Sequence, residues 1–379
     1  MFDSPNILIY LLAFALVLGP LVLVHELGHY LVGRWFGVKA EAFSIGFGKE
    51  IAGWTDKRGT RWKLSLLPLG GYVQFAGDMN PASIPDRDAL DRVTAESRAE
   101  QFHFKPLWQR TLIVLAGPVT NLLVAIAIFA AFFMLIGKPV SQDAEQESVV
   151  TAFADDSPAR EAGVRLGDQV VAVDGEETGT FFEVQREIAY RPSTAITVTV
   201  RRDGQDIDIP ITTTRMSVTD KFGNTSDIGL IGVESRPQPP KLVRTGPVEA
   251  VALAGKQSVM IVDMMISGIG QIITGKRSVQ ELGGPVKIAK YSGEQLTLGT
   301  LAFINFIALI SINLAFINLL PIPTLDGGHL AFYAAEAVRR KPIGPRGQEW
   351  AFRTGLAFVL MLMLFVTVND IAQLPVFGG

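Results

Sequence analysis

The chain has 379 residues, of which 48% are hydrophobic and 19% charged, and its mean hydropathy of +0.31 indicates a membrane protein with room for two or three units. The net charge is -3 and the 34 basic residues form no single stripe, which excludes a nucleic-acid-binding protein. No cysteine is present, so disulfides and cysteine nucleophiles are excluded and any metal must be held by His, Asp or Glu.

Four apolar runs are long enough to cross a hydrocarbon core about 30 Å thick as helices. The first three are uncharged and cover 7–24, 111–137 and 295–325, and the fourth, 350–368, carries only Arg353. Because no Lys or Arg precedes the first run and no small-residue cleavage site follows it, we expect a retained span rather than a signal peptide. We therefore predict an α-helical polytopic membrane protein with four transmembrane helices.

The first span ends in the sequence His25-Glu26-Leu-Gly-His29. Helix positions i and i+4 share a face, so the two imidazoles can converge on one ion beside the Glu26 carboxylate, as in the zinc-hydrolase motif H-E-x-x-H. Arg34 follows His25 by nine residues, roughly 13 Å along a helix, so the motif is expected inside the membrane. Polar groups there are costly unless paired or metallated, which favours a metal site over helix-packing histidines.

The first loop contains two strand-like segments, 62–67 and 72–75, separated by Pro68-Leu69-Gly70-Gly71. Strand residues on both sides of this turn chemistry predict a β-hairpin. An exposed strand edge could hold an extended peptide by β-augmentation. A hairpin of purely structural use at the membrane surface is the alternative.

The long connection between the second and third spans predicts a small β-rich domain at 148–211. A strand occupies 168–173, a helix occupies 181–190, and 196–202 pairs with 205–211 across Asp203-Gly204.

A further apolar segment, 259–273, is short, contains Asp263 and includes two glycines. We interpret it as an interfacial amphipathic helix. The number of crossings supports this interpretation, because a fifth span would place His29 and Asp326 on opposite membrane faces.

A third metal ligand is expected at the depth of the two histidines on another span, since a catalytic zinc site needs three protein ligands and one open position. Asp326 is the carboxylate at the end of the third span. Pro321 and Pro323 break the helix there, and the glycines at 327 and 328 let the chain pass close to an ion. His329 is an alternative ligand, and a plain interfacial turn is the other alternative.

A zinc ion on these ligands implies a hydrolytic mechanism. Zinc lowers the pKa of water to about 7 and polarises the scissile carbonyl. Glu26 would take the proton from that water and hand it to the leaving amine. Two His and one Asp suit other divalent ions too.

The basic residues predict the orientation. Residues 34–110 contain 12 Lys or Arg and 327–353 contain five, whereas none lies before Arg34 or after Arg353. Both connections are therefore expected in the cytoplasm. Both termini and the 138–294 connection then lie on the opposite face, which in a bacterium with its inner membrane is the periplasm.

Taken together, these motifs resemble the bacterial site-2 intramembrane zinc metalloproteases of the regulator of sigma-E protease type, which carry a PDZ domain. The resemblance covers nearly the whole chain. It rests on four sequences: HELGH at 25–29, Pro68-Leu-Gly-Gly-Tyr72-Val, Gly117-Pro118-Val-Thr-Asn121, and Asn318-x-x-Pro321-x-Pro323-x-x-Asp326-Gly-Gly.

This resemblance implies a membrane-entering hairpin at 68–77 and one extracytoplasmic PDZ-like domain that excludes bulky ectodomains or binds peptide. The implied substrate is a single-span membrane protein, such as an anti-sigma factor or a signal-peptide remnant, after an upstream site-1 protease has cut it. Asn318 and Asn121 could bond substrate or backbone, and helix packing is the alternative. The expected substrate-binding residues are Pro68, Leu69, Gly70, Gly71, Tyr72, Asn318, Pro321 and Pro323.

The expected divisions follow from these features. They are a first span at 1–33, a cytoplasmic loop at 34–107, a second span at 108–137, a PDZ-like domain at 138–240, periplasmic amphipathic helices at 241–294, a third span at 295–328, a loop at 329–349 and a fourth span with tail at 350–379.

Two other functions stay open, a catalytically inactive PDZ scaffold and an ion or metal transporter. Four unequal spans lack the matched repeats of transporters.

Overall fold

The computed structural model describes residues 7–77, 97–140, 148–219, 225–235, 241–275, 283–341 and 343–372. The chain divides into a strand-rich unit, Phe132–Gly246, and a helical unit, Pro5–Ala131 with Pro247–Gly379. The expected domain boundary at residue 240 lies outside the described residues.

The helices and strands are numbered in chain order. The helices are α1 (Ile7–Trp35), α2 (Leu107–Leu135), α3 (Pro158–Glu161), α4 (Phe181–Ala189), α5 (Pro247–Ile273), α6 (Pro285–Leu298), α7 (Thr300–Leu319), α8 (Asp326–Arg339) and α9 (Pro345–Ala372). The strands are β1 (Ala40–Thr55), β2 (Arg61–Phe75), β3 (Lys138–Val140), β4 (Ala152–Phe153), β5 (Gln169–Val173), β6 (Glu176–Glu177), β7 (Ala195–Arg202), β8 (Gln205–Thr212), β9 (Thr214–Thr219), β10 (Thr225–Leu230), β11 (Val233–Glu234) and β12 (Lys241–Val243).

Five helices of the described residues are long and apolar enough to cross a membrane: α1, α2, α5, α7 and α9. The four predicted spans correspond to α1, α2, α7 and α9. The short helix predicted at 259–273 is wrong in extent, because α5 is 27 residues long and runs unbroken through both glycines. The most apolar stretch of 18 residues in α5 has a mean hydropathy of 1.3, against 2.8 for that of α1. The chain is a multi-pass membrane protein.

The predicted third span is interrupted near its start. Gly299 has a φ of 114°, and it separates α6 from α7. Residues with a side chain rarely adopt this conformation, so glycine permits the break. The predicted end of the helix before Asp326 is confirmed, since α7 ends at Leu319 and Asp326 begins α8. Pro321 and Pro323 lie in the turn, where a missing N–H costs no helical hydrogen bond.

β1 and β2 pair antiparallel with several irregularities of register. Ser44 in β1 lies opposite both Tyr72 and Lys63 in β2, so β2 follows both sides of β1. The hairpin expected at 68–77 is therefore corrected: the residues up to Phe75 belong to one long strand, which bends at Gly70, where φ is 138°. The two strands are joined by the tight turn at residues 56–60.

An apolar cluster fixes this strand pair to the helices. Its buried members include Tyr30 of α1, Phe43 of β1, Val73 of β2, Ile113 of α2 and Tyr333 of α8. Truncating one such aromatic residue to alanine typically costs about 3–5 kcal/mol. The cluster therefore positions β1 and β2 against the end of α1 that carries the two histidines.

The helices α2 and α8 are also joined by a polar contact. Arg110 of α2 donates to the Glu336 carboxylate of α8 at 2.7 Å, and its guanidinium lies 5.0 Å from the Tyr333 ring centroid. Because these side chains are largely shielded from solvent, removing either partner would leave the other charge without its counter-ion in a site that water barely reaches. It holds α8, which begins with Asp326, at a fixed position along α2.

The strand-rich unit contains a four-stranded antiparallel sheet in the order β6-β5-β7-β8. The predicted strand, helix and hairpin of this unit are confirmed as β5, α4, β7 and β8, and Asp203 and Gly204 both have positive φ in the hairpin turn. The additional pair β9 and β10 lies beyond the last predicted strand. Its strands carry little apolar alternation, so the sequence pattern did not indicate them.

Candidate metal centre

The last turns of α1 place two imidazoles side by side. The Nε2 atoms of His25 and His29 are 3.2 Å apart, and the rings meet edge to face with centroids 4.8 Å apart. Helical spacing accounts for this, since residues four apart lie one above the other on the same face. His25 is only 8% exposed.

Asp326 reaches the same point from the start of α8. Its Oδ2 lies 3.2 Å from His25 Nε2 and 3.5 Å from His29 Nε2. The chain can turn this sharply because the next two residues are glycines. A Cβ on Gly327 would lie 2.3 Å from the carbonyl oxygen of Leu319, and one on Gly328 would lie 2.3 Å from that of Ile322.

The geometry of these three atoms fits a zinc ion. Ligand atoms about 2.0–2.1 Å from a tetrahedral centre lie about 3.3 Å from one another, close to the separations of 3.2, 3.2 and 3.5 Å found here. Asp326 Oδ2 is buried and has no hydrogen-bond partner among the described residues. Its ion-pair distances to the imidazoles lack hydrogen-bond geometry, so a cation between the three atoms accounts for it better.

Each imidazole also has a polar contact on its far side. His29 Nδ1 lies 2.8 Å from the carbonyl oxygen of Ile113 in α2, so a proton on Nδ1 directs the lone pair of Nε2 toward Asp326. His25 Nδ1 lies 3.3 Å from Nδ2 of Asn121, also in α2. Outer contacts of this kind fix the orientation of metal-binding histidines.

Glu26 projects beside the cluster and is enclosed by β2. The backbone of Val73 donates a hydrogen bond to its carboxylate. A Cβ on Gly71 would lie 3.0 Å from Glu26 Cγ and 2.8 Å from the carbonyl oxygen of Ser44. The absence of a side chain at residue 71 therefore lets β2 pass directly over the carboxylate.

A cavity of about 480 Å³ contains the cluster. Of the predicted substrate-binding residues, the structure brings Gly70, Gly71, Tyr72 and Asn318 to its wall. Pro321 and Pro323 lie outside that wall and terminate α7 instead. The side chains of Pro68 and Leu69 lie outside the described part of the chain. His329 lines the cavity but is not a member of the ligand group.

Comparison with known families identifies the chain. A model of peptidase family M50 matches residues 13–362. The chain belongs to peptidase family M50. It is accordingly a metalloprotease with zinc as its cofactor.

Two relatives of this M50 peptidase are similar over almost their whole lengths. A protein of Agrobacterium fabrum, whose given name places it among the zinc metalloproteases, is 45% identical over 96% of each chain. Metalloprotease MmpA of Caulobacter vibrioides is 35% identical over 98% of this chain and 97% of its own. The solved PDZ domain of the SdrC-like protein from Listeria monocytogenes is 20% identical over 24% of this chain and 87% of its own, with a TM-score of 0.19.

Three features of the M50 peptidase's site were not assigned from its sequence. Gly117 leaves space for the imidazoles, and the carbonyl oxygen of Ile113 accepts from His29. Thr324 lines the cavity, and its hydroxyl is buried without a hydrogen-bond partner among the described residues. The first two depend on how closely α2 approaches α1, a distance that the sequence does not fix. The small residues at 116 and 117 were the available signal.

Proposed function

We propose that this M50 peptidase is a site-2 type intramembrane endopeptidase that hydrolyses peptide bonds within the membrane segments of single-span proteins. His25, His29 and Asp326 would hold the zinc ion, and Glu26 would act as the general base. The observation that carries the proposal is the convergence of three ligand atoms from α1 and α8 within 3.5 Å of one another. These helices are far apart in the sequence, so their meeting is a tertiary feature.

The proposed chemistry is peptide hydrolysis by activated water. When bound, zinc polarises the scissile carbonyl and makes water acidic enough to attack at neutral pH. Glu26 accepts the proton of the attacking water and delivers it to the leaving amine. The Val73 backbone and the close approach of Gly71 hold the Glu26 carboxylate in place. Because the base moves little, less reorganisation is needed in the transition state.

The site's depth supports cleavage inside the membrane. His25 and Glu26 belong to α1, a 29-residue helix whose most apolar stretch of 18 residues has a mean hydropathy of 2.8. Residues that carry charge rarely occur at such a depth without a function. A substrate reaching the cavity from the lipid would therefore present its own apolar segment.

Four crossings with a cytoplasmic site fit the proposal best. If α5 also crossed, an odd number of spans would separate His29 from Asp326, and the two residues would lie on opposite faces. Their 3.5 Å separation favours α5 as a membrane-surface helix. With the basic connections in the cytoplasm, both termini and the PDZ-like domain would be periplasmic in a bacterial inner membrane.

Substrate would bind along β2. Gly70, Gly71, Tyr72 and Val73 line the cavity, so the backbone of an extended strand lies beside Glu26. An unwound substrate can pair with such a backbone and present one peptide bond to the base. Asn318 lies on the α7 side of the cavity and would bond the substrate backbone.

The substrate would first be shortened by an upstream site-1 protease. The PDZ-like domain would then exclude bulky ectodomains or bind a peptide end. This part of the proposal rests on the predicted domain type and on the resemblance to site-2 proteases.

The test uses the full chain in lipid vesicles with a single-span reporter. The wild type should contain one zinc ion and cut within the reporter's membrane segment. Glu26→Gln should retain zinc while the rate falls about 10²- to 10⁴-fold. Glu41→Gln, at an exposed position of β1, is the matched control and should cleave normally.

Three other outcomes would contradict the proposal. Full cleavage by Glu26→Gln would remove the base assignment. Zinc without cleavage by the wild type would favour an inactive scaffold, and zinc flux into the vesicles would favour a transporter.

A further inference from the structure

Asn121 occupies a fully buried position in α2 beside the metal centre. Its relative exposure is 0%, and its side-chain amide contacts His25 Nδ1 at 3.3 Å. In the described orientation the amide nitrogen faces the ring, and Oδ1 is buried without a hydrogen-bond partner among the described residues. A buried amide oxygen without a partner costs about 1–3 kcal/mol, so the arrangement calls for an explanation.

The direction of the His25 ring explains which amide atom is needed. Nε2 of His25 faces His29 and Asp326, so this nitrogen must present a lone pair to an ion. The proton of a neutral imidazole then lies on Nδ1, which becomes a donor. An amide nitrogen cannot accept that proton, whereas an amide oxygen can.

A rotation of the Asn121 amide by half a turn supplies the acceptor. The nitrogen and oxygen of an amide have nearly the same size, so the rotation exchanges them without moving other atoms. Oδ1 then accepts from His25 Nδ1, and the oxygen gains a partner. His29 already has the equivalent contact with the carbonyl of Ile113 at 2.8 Å.

The backbone of Asn121 is itself held in place. Ser311 of α7, which is also fully buried, donates from Oγ to the Asn121 carbonyl oxygen at 2.7 Å. Asn121 therefore connects α7 to the histidine that α1 contributes. Movement of the amide away from His25 would require α2 to shift against α7.

We propose that Asn121 is a positioning residue, which holds His25 by accepting from Nδ1 and so directs the Nε2 lone pair toward the metal. The proposal rests on the zinc site proposed above. It gives Asn121 a role toward the metal-binding side chain of His25 rather than toward the substrate. Loss of an outer contact of this kind typically weakens metal affinity about 10- to 100-fold.

The experiment measures the zinc dissociation constant of the full chain by competition with a chelator. All variants carry Glu26→Gln, so the measurement does not depend on cleavage. Asn121→Leu removes the acceptor while keeping the branched shape and the number of side-chain heavy atoms, and it should weaken zinc binding about 10- to 100-fold. Asn121→Asp keeps an acceptor and should bind zinc at least as tightly as the parent.

A packing role predicts the opposite order of affinities. If Asn121 only fills space, Leu would preserve zinc binding, and Asp would weaken it by burying a charge. That order would overturn the proposal. Asn121→Ala, which cannot clash, replaces the Leu variant if the latter does not fold, and it should show the same loss. Ser258→Ala, at a buried position of α5 whose hydroxyl donates to Ala254 within the same helix, is the control and should change the constant less than threefold, well under the loss above.

The two proposals fail in distinguishable ways. If His25→Ala and Asp326→Ala leave zinc affinity unchanged, the zinc site itself is wrong. If those variants lose zinc while Asn121→Leu keeps the parent affinity, the positioning role alone is wrong.

Discussion

The Cβ position of Gly117 lies 2.2 Å from Nε2 of His29. The same position is 2.8 Å from Cε1 of His25, so a methyl group there would occupy the space between the imidazoles and α2. Helix α2 can therefore approach the metal centre only because residue 117 has no side chain. In this M50 peptidase, α2 therefore contributes space as well as contacts to the metal centre.

Gly117→Ala should therefore abolish stoichiometric zinc binding. The added methyl group forces His29 out of line with Asp326, and a shift of this size removes a ligand. Zinc measured by mass spectrometry on purified protein is the check. Gly19→Ala in α1 is the matched control, because its Cβ meets nothing within 4 Å. It should keep zinc, and zinc retained by the Gly117 variant would contradict the close contact.

Gly71→Ala should impair catalysis without removing zinc. Its Cβ would lie 3.0 Å from Glu26 Cγ, so the methyl group displaces the base rather than a ligand. A displacement of about 1 Å can reduce the rate about 100-fold. The measurements are the reporter cleavage rate and the zinc content of the same preparation. Loss of zinc would show that β2 supports the whole cluster rather than Glu26 alone.

The sequence predicts this site where the information is local. His25 and His29 are paired by helical period alone, and Asp326 follows as the carboxylate at the end of the third span. Asn121 and Gly117 act through the approach of α2 to α1, and that distance depends on packing along both helices. No pattern within either helix specifies it.

The fold follows the same division. Apolar runs predict four of the long helices, and Asp203-Gly204 predicts the β7–β8 turn, because residues close together in the sequence decide each of these features. The register of β1 and β2 is different, since residues of β1 pair with two separate parts of β2. Contacts of β1 and β2 with the helices determine which residues of the two strands pair.

Asp326→Ala and His329→Ala should separate the two candidate third ligands. Asp326 Oδ2 lies within 3.5 Å of both imidazoles, whereas His329 lines the cavity outside the ligand group. We expect the Asp326 variant to lose zinc and the His329 variant to keep it. Zinc titration of both proteins is the measurement. The reverse result would make His329 the ligand.

The strand-rich unit should lose stability in acid through Asp168. Its side chain is 2% exposed and accepts from Arg202 Nη2 at 2.7 Å and from the Arg165 backbone N–H at 2.7 Å. Burial raises the pKa of Asp168, but these hydrogen bonds outweigh burial and leave the pKa below its ordinary value. The stabilisation is therefore complete above the unfolded pKa of about 3.9 and is lost as pH falls through the lower, folded value.

Hydrogen exchange of β5 and β7 in the full chain measures this effect. Protection should be constant from pH 7 to about 5, after correction for intrinsic rates, and should fall below the unfolded pKa of about 3.9. Asp168→Asn should lower protection at pH 7 by about 2 kcal/mol, because Arg202 loses its charged acceptor. Asp206→Asn is the control, since its ion pair with Arg201 is half exposed and exposed pairs contribute little. Equal losses in the two variants would show that burial of Asp168 adds nothing.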